Sequence, residues 1–272
     1  MRRAVAPAAG SRIDDVIRPR SRLQPILMSP PLAQFRRGAS GRTIQSVGRV
    51  GKRVVLALDN AARIVLEPRM TGLVLLNDPP NASHLRLVLE LSGGSARQIL
   101  FWDQRGLGVA RLVTPEQFDT FYGPQRLGPD ALEIPLHDLR QRLRGSRRPI
   151  KVALMDQALL VGVGNLYASE ILHRALVHPA RPCQQLRPEH WRRIHRELRA
   201  VLEEAIVHEG STLSDGTYRV EREGRYQTYH RVYQRAGQVC LQCGRGSIVR
   251  IVQAQRSTFF CPCCQRSNGI RD

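Results

Sequence analysis

Short apolar runs set the rhythm of the first 120 residues. Residues 42–47, 53–59, 63–68, 72–76, 85–91 and 97–103 are rich in valine, isoleucine and leucine, with glycine, proline, asparagine or aspartate between them. Several alternate apolar with polar positions, which predicts six closely spaced strands and hence a sandwich or barrel. The period then changes. Residues 121–135 hold three prolines and two glycines and read as a linker. Residues 136–145 predict a short helix stopped by Gly145. Farther on, Leu166, Ala168, Ile171, Leu172 and Ala175 share one helical face, with Asn165 where an N-cap belongs. Residues 186–210 put Trp191, Ile194, Leu198, Val201, Leu202, Ala205 and Ile206 on one face, with Pro188 near the start and Gly210 beyond the end. Residues 211–234 are polar, carry four tyrosines and predict a mobile segment. The expected organisation is α+β: a sandwich domain over 1–120, the linker 121–135, a helical domain over 136–233 and a cysteine-rich end over 234–272.

Charge narrows the partner. The chain of 272 residues has 42 basic and 23 acidic side chains, a formal net charge of +19. Such an excess points to a polyanion, nucleic acid before all. A membrane surface fits less well, because the basic residues are dispersed and no apolar run approaches the ~20 residues of a membrane span. The opening residues lack the apolar middle of a signal peptide, so a cytoplasmic protein with reduced thiols is expected. Only Lys52 and Lys151 are lysines; every other basic residue is arginine. Lysine can lose its proton and serve in acid–base chemistry where arginine cannot, so these two positions stand out.

Five of the six cysteines lie between Cys240 and Cys264. Cys240 and Cys243 form one C-x2-C knuckle, Cys261 and Cys264 another, and seventeen residues separate the two. Each knuckle sets two thiolates about one metal with little strain, and four thiolates suit tetrahedral zinc. Cys263 is a bystander, and Cys183 is an isolated small residue. The spacer reads as strand, turn, strand, which puts Arg256 at or near the tip of a metal-clamped hairpin, where a guanidinium suits a DNA backbone. Gly162 and Gly164 before Asn165 allow a tight turn leading into a helix start. That turn is read either as a phosphate site or as a packed corner.

Several stretches together resemble the formamidopyrimidine-DNA glycosylase / endonuclease VIII family: "DQALLVGVGNLYASEIL", the two-knuckle finger, and "QRST" before its second knuckle. "RVGKRVVLAL" is similar to the family's lysine-bearing strand, "EPRMTG" to its intercalation loop, "FWDQRGLG" to its second void-filling loop, and "LGPDAL" to its interdomain linker. The resemblance implies an N-terminal β-sandwich with a flanking helix, a helix–two-turn–helix domain and a C-terminal β-hairpin zinc finger with one structural zinc. It implies base-excision repair of oxidised or ring-opened purines in double-stranded damaged DNA by a monomer, with glycosylase and strand-cleaving lyase steps. Lys52 would then be general acid or base and phosphate contact, and Arg256 a phosphate contact that assists the second elimination. Asn165 would hold a phosphate at the lesion, Met70 would fill the gap left by the flipped nucleotide, and Arg105 would face the orphaned base. His84 would touch the backbone, and Lys151 would lie near the damaged-base pocket. From the residues alone, Lys52 reads as a solvated strand residue, Met70 as core, Arg105 as turn decoration, His84 as a surface histidine and Glu170 as a helix-face carboxylate.

Two positions depart from the family pattern. Leu107 stands where the second loop commonly has phenylalanine; leucine can still wedge between bases. Family members also open with Met followed by a proline, whose amine is the nucleophile, and a glutamate. This sequence opens "MRRAVAPAAG" and has no glutamate before Glu67. That opening resembles the part of the family's first helix just after the motif, so a start displaced by roughly eight or nine residues is expected. A chain as written would be inactive. A catalytically silent lesion or abasic-site binder is the alternative, and a zinc-ribbon DNA-binding protein without lesion preference is a third reading.

Overall fold

The computed structural model describes residues 1–211 and 224–267, and the chain divides into two units, 1–123 and 124–272. The first unit opens with one helical turn, α1 (Arg2–Val5), and then runs β1 (Arg12–Ile17), β2 (Leu27–Ser29), α2 (Leu32–Ala39), β3 (Ile44–Val50) and β4 (Arg53–Leu58). It continues through β5 (Arg63–Glu67), β6 (Gly72–Leu75), β7 (Leu85–Ser92), β8 (Gln98–Asp103), β9 (Val109–Val113) and α3 (Pro115–Tyr122). The strands form two sheets, β1-β7-β8-β6 and β2-β9-β5-β4-β3. One core joins the sheets and the flanking helices: Phe35, Leu56, Leu66, Leu87 and Phe101 are each at most 1% exposed. Side chains buried to that degree contribute about 1.5–3 kcal/mol apiece.

All six strands expected from the apolar runs are present. The runs do not reveal β1, β2, β9 or α2. β2 is only three residues long, and β9 follows a glycine-rich loop without turn punctuation of its own. α3 carries a start signal that the apolar pattern does not convey: Thr114 caps Gln117, Gln117 caps Thr114 in return, and Pro115 is the first helical residue.

The second unit contains α4 (Leu136–Leu143), α5 (Ile150–Leu154), α6 (Asn165–Arg174) and α7 (Pro188–Val207), followed by the hairpin β10 (Val249–Gln253) and β11 (Arg256–Phe260). Trp191, Ile194, Leu198, Val201, Leu202 and Ala205 are buried at helical spacing along α7 and pack with Leu166, Ala168, Ile171, Leu172 and Ala175. Ile206 departs from the expected face and is exposed. Arg174 ties α6 to α7 through Glu197 at 2.6 Å and Glu204 at 2.9 Å. The expectation of mobility fails for residues 224–234. Tyr226 and Val232 are fully buried there, because a tyrosine ring offers large apolar area despite its polar tip. Residues 212–223 of that segment lie outside the described residues. Among the described residues no helix is long and apolar enough to cross a membrane.

Candidate nucleic-acid interface

Strand register gathers the first unit's candidates at one end of its sandwich. Val50 pairs with Arg53 across a two-residue turn, Val54 with Leu66, Glu67 with Val109, Gly72 with Asp103, and Leu85 with Trp102. The turns bearing Lys52, Met70 and Arg105, and the residue His84, therefore share that end. Lys52 is exposed at the β3–β4 tip, beside Gly51 at φ +56, and is not within a strand as expected. A glycine at the first turn position allows the positive φ such a hairpin needs. Glu67 links two of the turns. It pairs with Arg53 beside Lys52 and with Arg69 beside Met70, each at 2.7 Å.

Met70 is 72% exposed and does not belong to the core, against the reading from residues alone. Its turn is closed by the Gly72 N–H donating to the Pro68 carbonyl at 2.9 Å. Met70 and Leu107 both line an open cavity of about 650 Å³ backed by Pro25, Ile26 and Leu27. Leu107 and Arg105 are themselves exposed. An exposed, flexible apolar side chain next to an arginine is the composition of a wedge that enters a base stack. His84 is buried, not a surface residue. Its Nδ1 lies 2.8 Å from Asn81 Oδ1 and its ring lies against Trp102. Burial, aided by Arg86, holds its pKa below the usual histidine range. Arg18, Arg20 and Arg22 are exposed on the chain leaving β1, and Ser21 donates to the Ser83 carbonyl at 3.4 Å, so they lie beside the same end. The sequence signal for them was the arginine run itself.

In the second unit, the start of α6 meets the turn end of the hairpin. Lys151 Nζ donates to Asn165 Oδ1 at 2.5 Å, and Asn165 Nδ2 donates to the Ser257 carbonyl at 2.9 Å. Asn165 is thus the first residue of α6, not its N-cap; Gly164 holds the cap position and no side chain caps the first turn. The asparagine side chain is instead committed to Lys151 and β11. Gln157 props the preceding turn: its Oε1 accepts from Gly162 N–H at 3.1 Å, and its Nε2 donates to the Met155 and Val163 carbonyls at 2.9 and 3.0 Å. Lys151 is fully buried, and burial together with the nearby Arg256 lowers its pKa to about 8. Among the described residues no carboxylate lowers the cost of that pair, which leaves a cationic cluster suited to an anion.

Arg256 is exposed at the head of β11. The turn before it uses Ala254 and Gln255 at φ +46 and +59, so both central residues are left-handed, as a two-residue hairpin requires. Glu170, read as a helix-face carboxylate, is fully buried. Its carboxylate accepts the backbone N–H groups of Arg231, Val232 and Tyr233 at 2.8–3.0 Å, tying α6 to the chain entering the finger. Burial still pushes its pKa up.

Cys240, Cys243, Cys261 and Cys264 place their sulfurs within 4.8 Å of one another, with Cys240–Cys264 and Cys243–Cys261 at 3.8 Å. Four thiolates about 2.3 Å from a tetrahedral zinc would be spaced by about 3.8 Å, so the donor set fits one structural zinc. Backbone N–H groups of Arg245 and Gly246 lower the Cys243 pKa, whereas burial raises those of Cys261 and Cys264, so the charge of the cluster is uneven until a metal draws the protons off. Cys263 is exposed outside the cluster and Cys183 is buried far along the chain from it.

Three family models match the chain. They are the formamidopyrimidine-DNA glycosylase N-terminal domain over residues 1–110, the formamidopyrimidine-DNA glycosylase H2TH domain over 127–217, and the zinc finger found in FPG and IleRS over 237–266. A formamidopyrimidine-DNA glycosylase of Chloroflexus aurantiacus is 38% identical over 246 residues, covering 89% of this chain and 86% of that protein. The crystal structure of the Thermus thermophilus protein is 38% identical, with a TM-score of 0.81 over 97% of this chain and 95% of that one. A Lactococcus lactis Fpg in complex with DNA containing an abasic site is similar at a TM-score of 0.83 and 27% identity, covering 98% of this chain and 97% of that one.

Proposed function

Because this chain belongs to the formamidopyrimidine-DNA glycosylase family, we propose that it is a base-excision repair glycosylase that acts on oxidised or ring-opened purines in duplex DNA and also cleaves the strand as an AP lyase. The observation that supports the reading most is the joint between α6 and the finger, where Lys151, Asn165 and Arg256 form a cluster that includes no carboxylate among the described residues. A phosphate flanking the lesion supplies the missing negative charge. Arg256 is the forked, permanently charged contact, and Asn165, fixed by Lys151 on one side and Ser257 on the other, presents the first turn of α6.

Base excision requires the damaged nucleotide to leave the stack, since the glycosidic bond is inaccessible within it. Met70 fills the vacated space, Arg105 faces the orphaned base, Leu107 wedges beside them, and His84 with Asn81 steadies the loop that touches the backbone. Lys52, exposed at its tip, contacts phosphate and exchanges protons, a role open to one of only two lysines. Zinc takes no chemical part; it holds the hairpin that carries Arg256. The covalent step needs a secondary amine to attack the sugar C1′, expel the base and form a Schiff base from which elimination cuts the strand. In the family pattern that amine belongs to an N-terminal proline followed by glutamate, whereas the given sequence opens Met1, Arg2, Arg3.

Borohydride trapping on duplex DNA with a ring-opened purine tests the reading. The chain as given and the same chain preceded by the proline–glutamate opening are compared. The expected result is lesion binding by both, and covalent trapping with base release only by the form with the proline amine. Lesion binding without trapping in either form would replace the enzyme by a silent lesion binder.

A further inference from the structure

One hydroxyl joins the two exposed loops at the end of the sandwich. Thr71, the residue after Met70, donates from Oγ1 to Asp103 Oδ1 at 2.6 Å and accepts the backbone N–H of Arg105 at 3.1 Å. Asp103 has no exposure. Its second oxygen accepts the Gly108 N–H at 2.7 Å, so the carboxylate spans the Arg105–Leu107 loop from root to root. The root is anchored in turn: buried Arg86 donates to the Asp103 carbonyl at 2.7 Å and to the Gln104 carbonyl at 3.1 Å.

Sterics leave little slack around this joint. Gly106 has φ +64, and a Cβ there would lie 2.5 Å from the Gln24 carbonyl oxygen. A Cβ on Gly108 would lie 2.6 Å from the Phe101 ring, and one on Gly72 2.3 Å from the Pro68 carbonyl oxygen. The Arg105–Leu107 loop is closed by the Asp103 carboxylate, which accepts the Arg105 N–H at 3.3 Å and the Gly108 N–H at 2.7 Å. The Met70 turn closes through Gly72 and Pro68, without Thr71. The β6–β8 ladder already pairs Gly72 with Asp103 at the roots of the two loops; the Thr71 hydroxyl adds a side-chain tie between the Met70 turn and the Arg105 N–H beyond that ladder.

We propose that Thr71 and Asp103 are positioning residues that lock the Met70 turn to the Arg105–Leu107 loop, so that Met70 and Arg105 enter the duplex as one rigid wedge. This rests on the reading of Met70 and Arg105 as the gap-filling pair. Prising apart a base stack costs a few kcal/mol per step, and a wedge whose parts must be ordered separately loses more entropy on insertion than one already assembled. A side chain that only supports the fold would alter stability and all DNA binding alike. The lock instead acts on the excess affinity for a duplex with a gap.

The test is a set of double-mutant cycles on the full chain, using a duplex with a stable abasic analogue and the matching intact duplex at fixed salt. Met70→Ala, Arg105→Ala and their combination are measured in the native background and in Thr71→Val, with Thr71→Ser as the conservative control. In the native background each single change is expected to remove most of the abasic preference, and the double change little more. Thr71→Val alone is expected to lower the preference by about tenfold, the loss of one hydrogen bond to a charged group, and to make the two single effects multiply. Thr71→Ser is expected to keep the preference within about twofold, since its hydroxyl remains. Unchanged preference in Thr71→Val, or multiplying effects in the native background, overturns the lock. Intact-duplex affinity and thermal unfolding report folding; if Thr71→Val does not fold, the native cycle alone decides. If neither Met70→Ala nor Arg105→Ala changes the preference, the gap-filling reading itself fails and the lock falls with it.

Discussion

Lys151 is a fully buried cation; under the proposed function it is held for a phosphate, and replacing it with methionine separates stability from binding. Its pKa of about 8, against 10.5 for a free lysine, means that carrying the charge costs the folded state about 3 kcal/mol below pH 8. Methionine is close in volume and removes that cost. It also leaves Asn165 Oδ1 without its donor, a loss of about 2 kcal/mol. Lys151→Met is therefore expected to be more stable than the parent by about 1 kcal/mol at pH 7. The sign changes with pH. Between about 8 and 10.5 the unfolded chain still holds the proton that folded Lys151 has released, so parental stability rises with pH in that window. The variant lacks the group, so its advantage shrinks and reverses near about pH 9. Urea unfolding followed by Trp191 fluorescence, in a Trp102→Phe background, reads the unit in which Lys151 lies. Damaged-duplex affinity at pH 7 should fall even as stability rises. A variant less stable than the parent at pH 7, or a stability difference independent of pH, would refute the reasoning.

Other consequences follow from the same geometry. Cys243→Ser, or removal of zinc by a chelator, should abolish damaged-duplex binding while the sandwich keeps its strand signal; zinc content and circular dichroism check this. Gln255→Gly should stabilise the finger by about 1 kcal/mol, because a left-handed residue with a side chain carries that strain; slower loss of zinc to a chelator would register it. Glu170→Gln should destabilise the second unit by about 2 kcal/mol, because an amide cannot accept on both sides as the carboxylate does. Scanning calorimetry reads that change directly.

The parts of the site legible in the sequence were those fixed over short separations. The knuckle spacing set the four zinc ligands, and the spacer length put Arg256 at a hairpin tip. Met70 was ambiguous for a physical reason: an apolar residue in a turn looks the same in sequence whether it is core or wedge, and only its exposure separates the two. Asn165 reads as a cap in sequence because a helix start favours asparagine either way, whereas its partners, Lys151 and Ser257, are 14 and 92 residues distant. Asp103 and Thr71 were invisible, since "DQRGLG" reads as a turn and their bond spans 32 residues. Glu170 likewise gave no sign of the backbone amides it receives from 61–63 residues downstream.

The most direct test of the account is the affinity of the chain for an abasic-analogue duplex relative to the intact duplex of the same sequence at one salt concentration. Charge alone binds both equally, because the phosphate term does not depend on the lesion. The account predicts preference for the abasic duplex by at least about tenfold, about 1.4 kcal/mol. Equal affinity would contradict it and leave a basic zinc-finger protein that binds DNA without regard to damage.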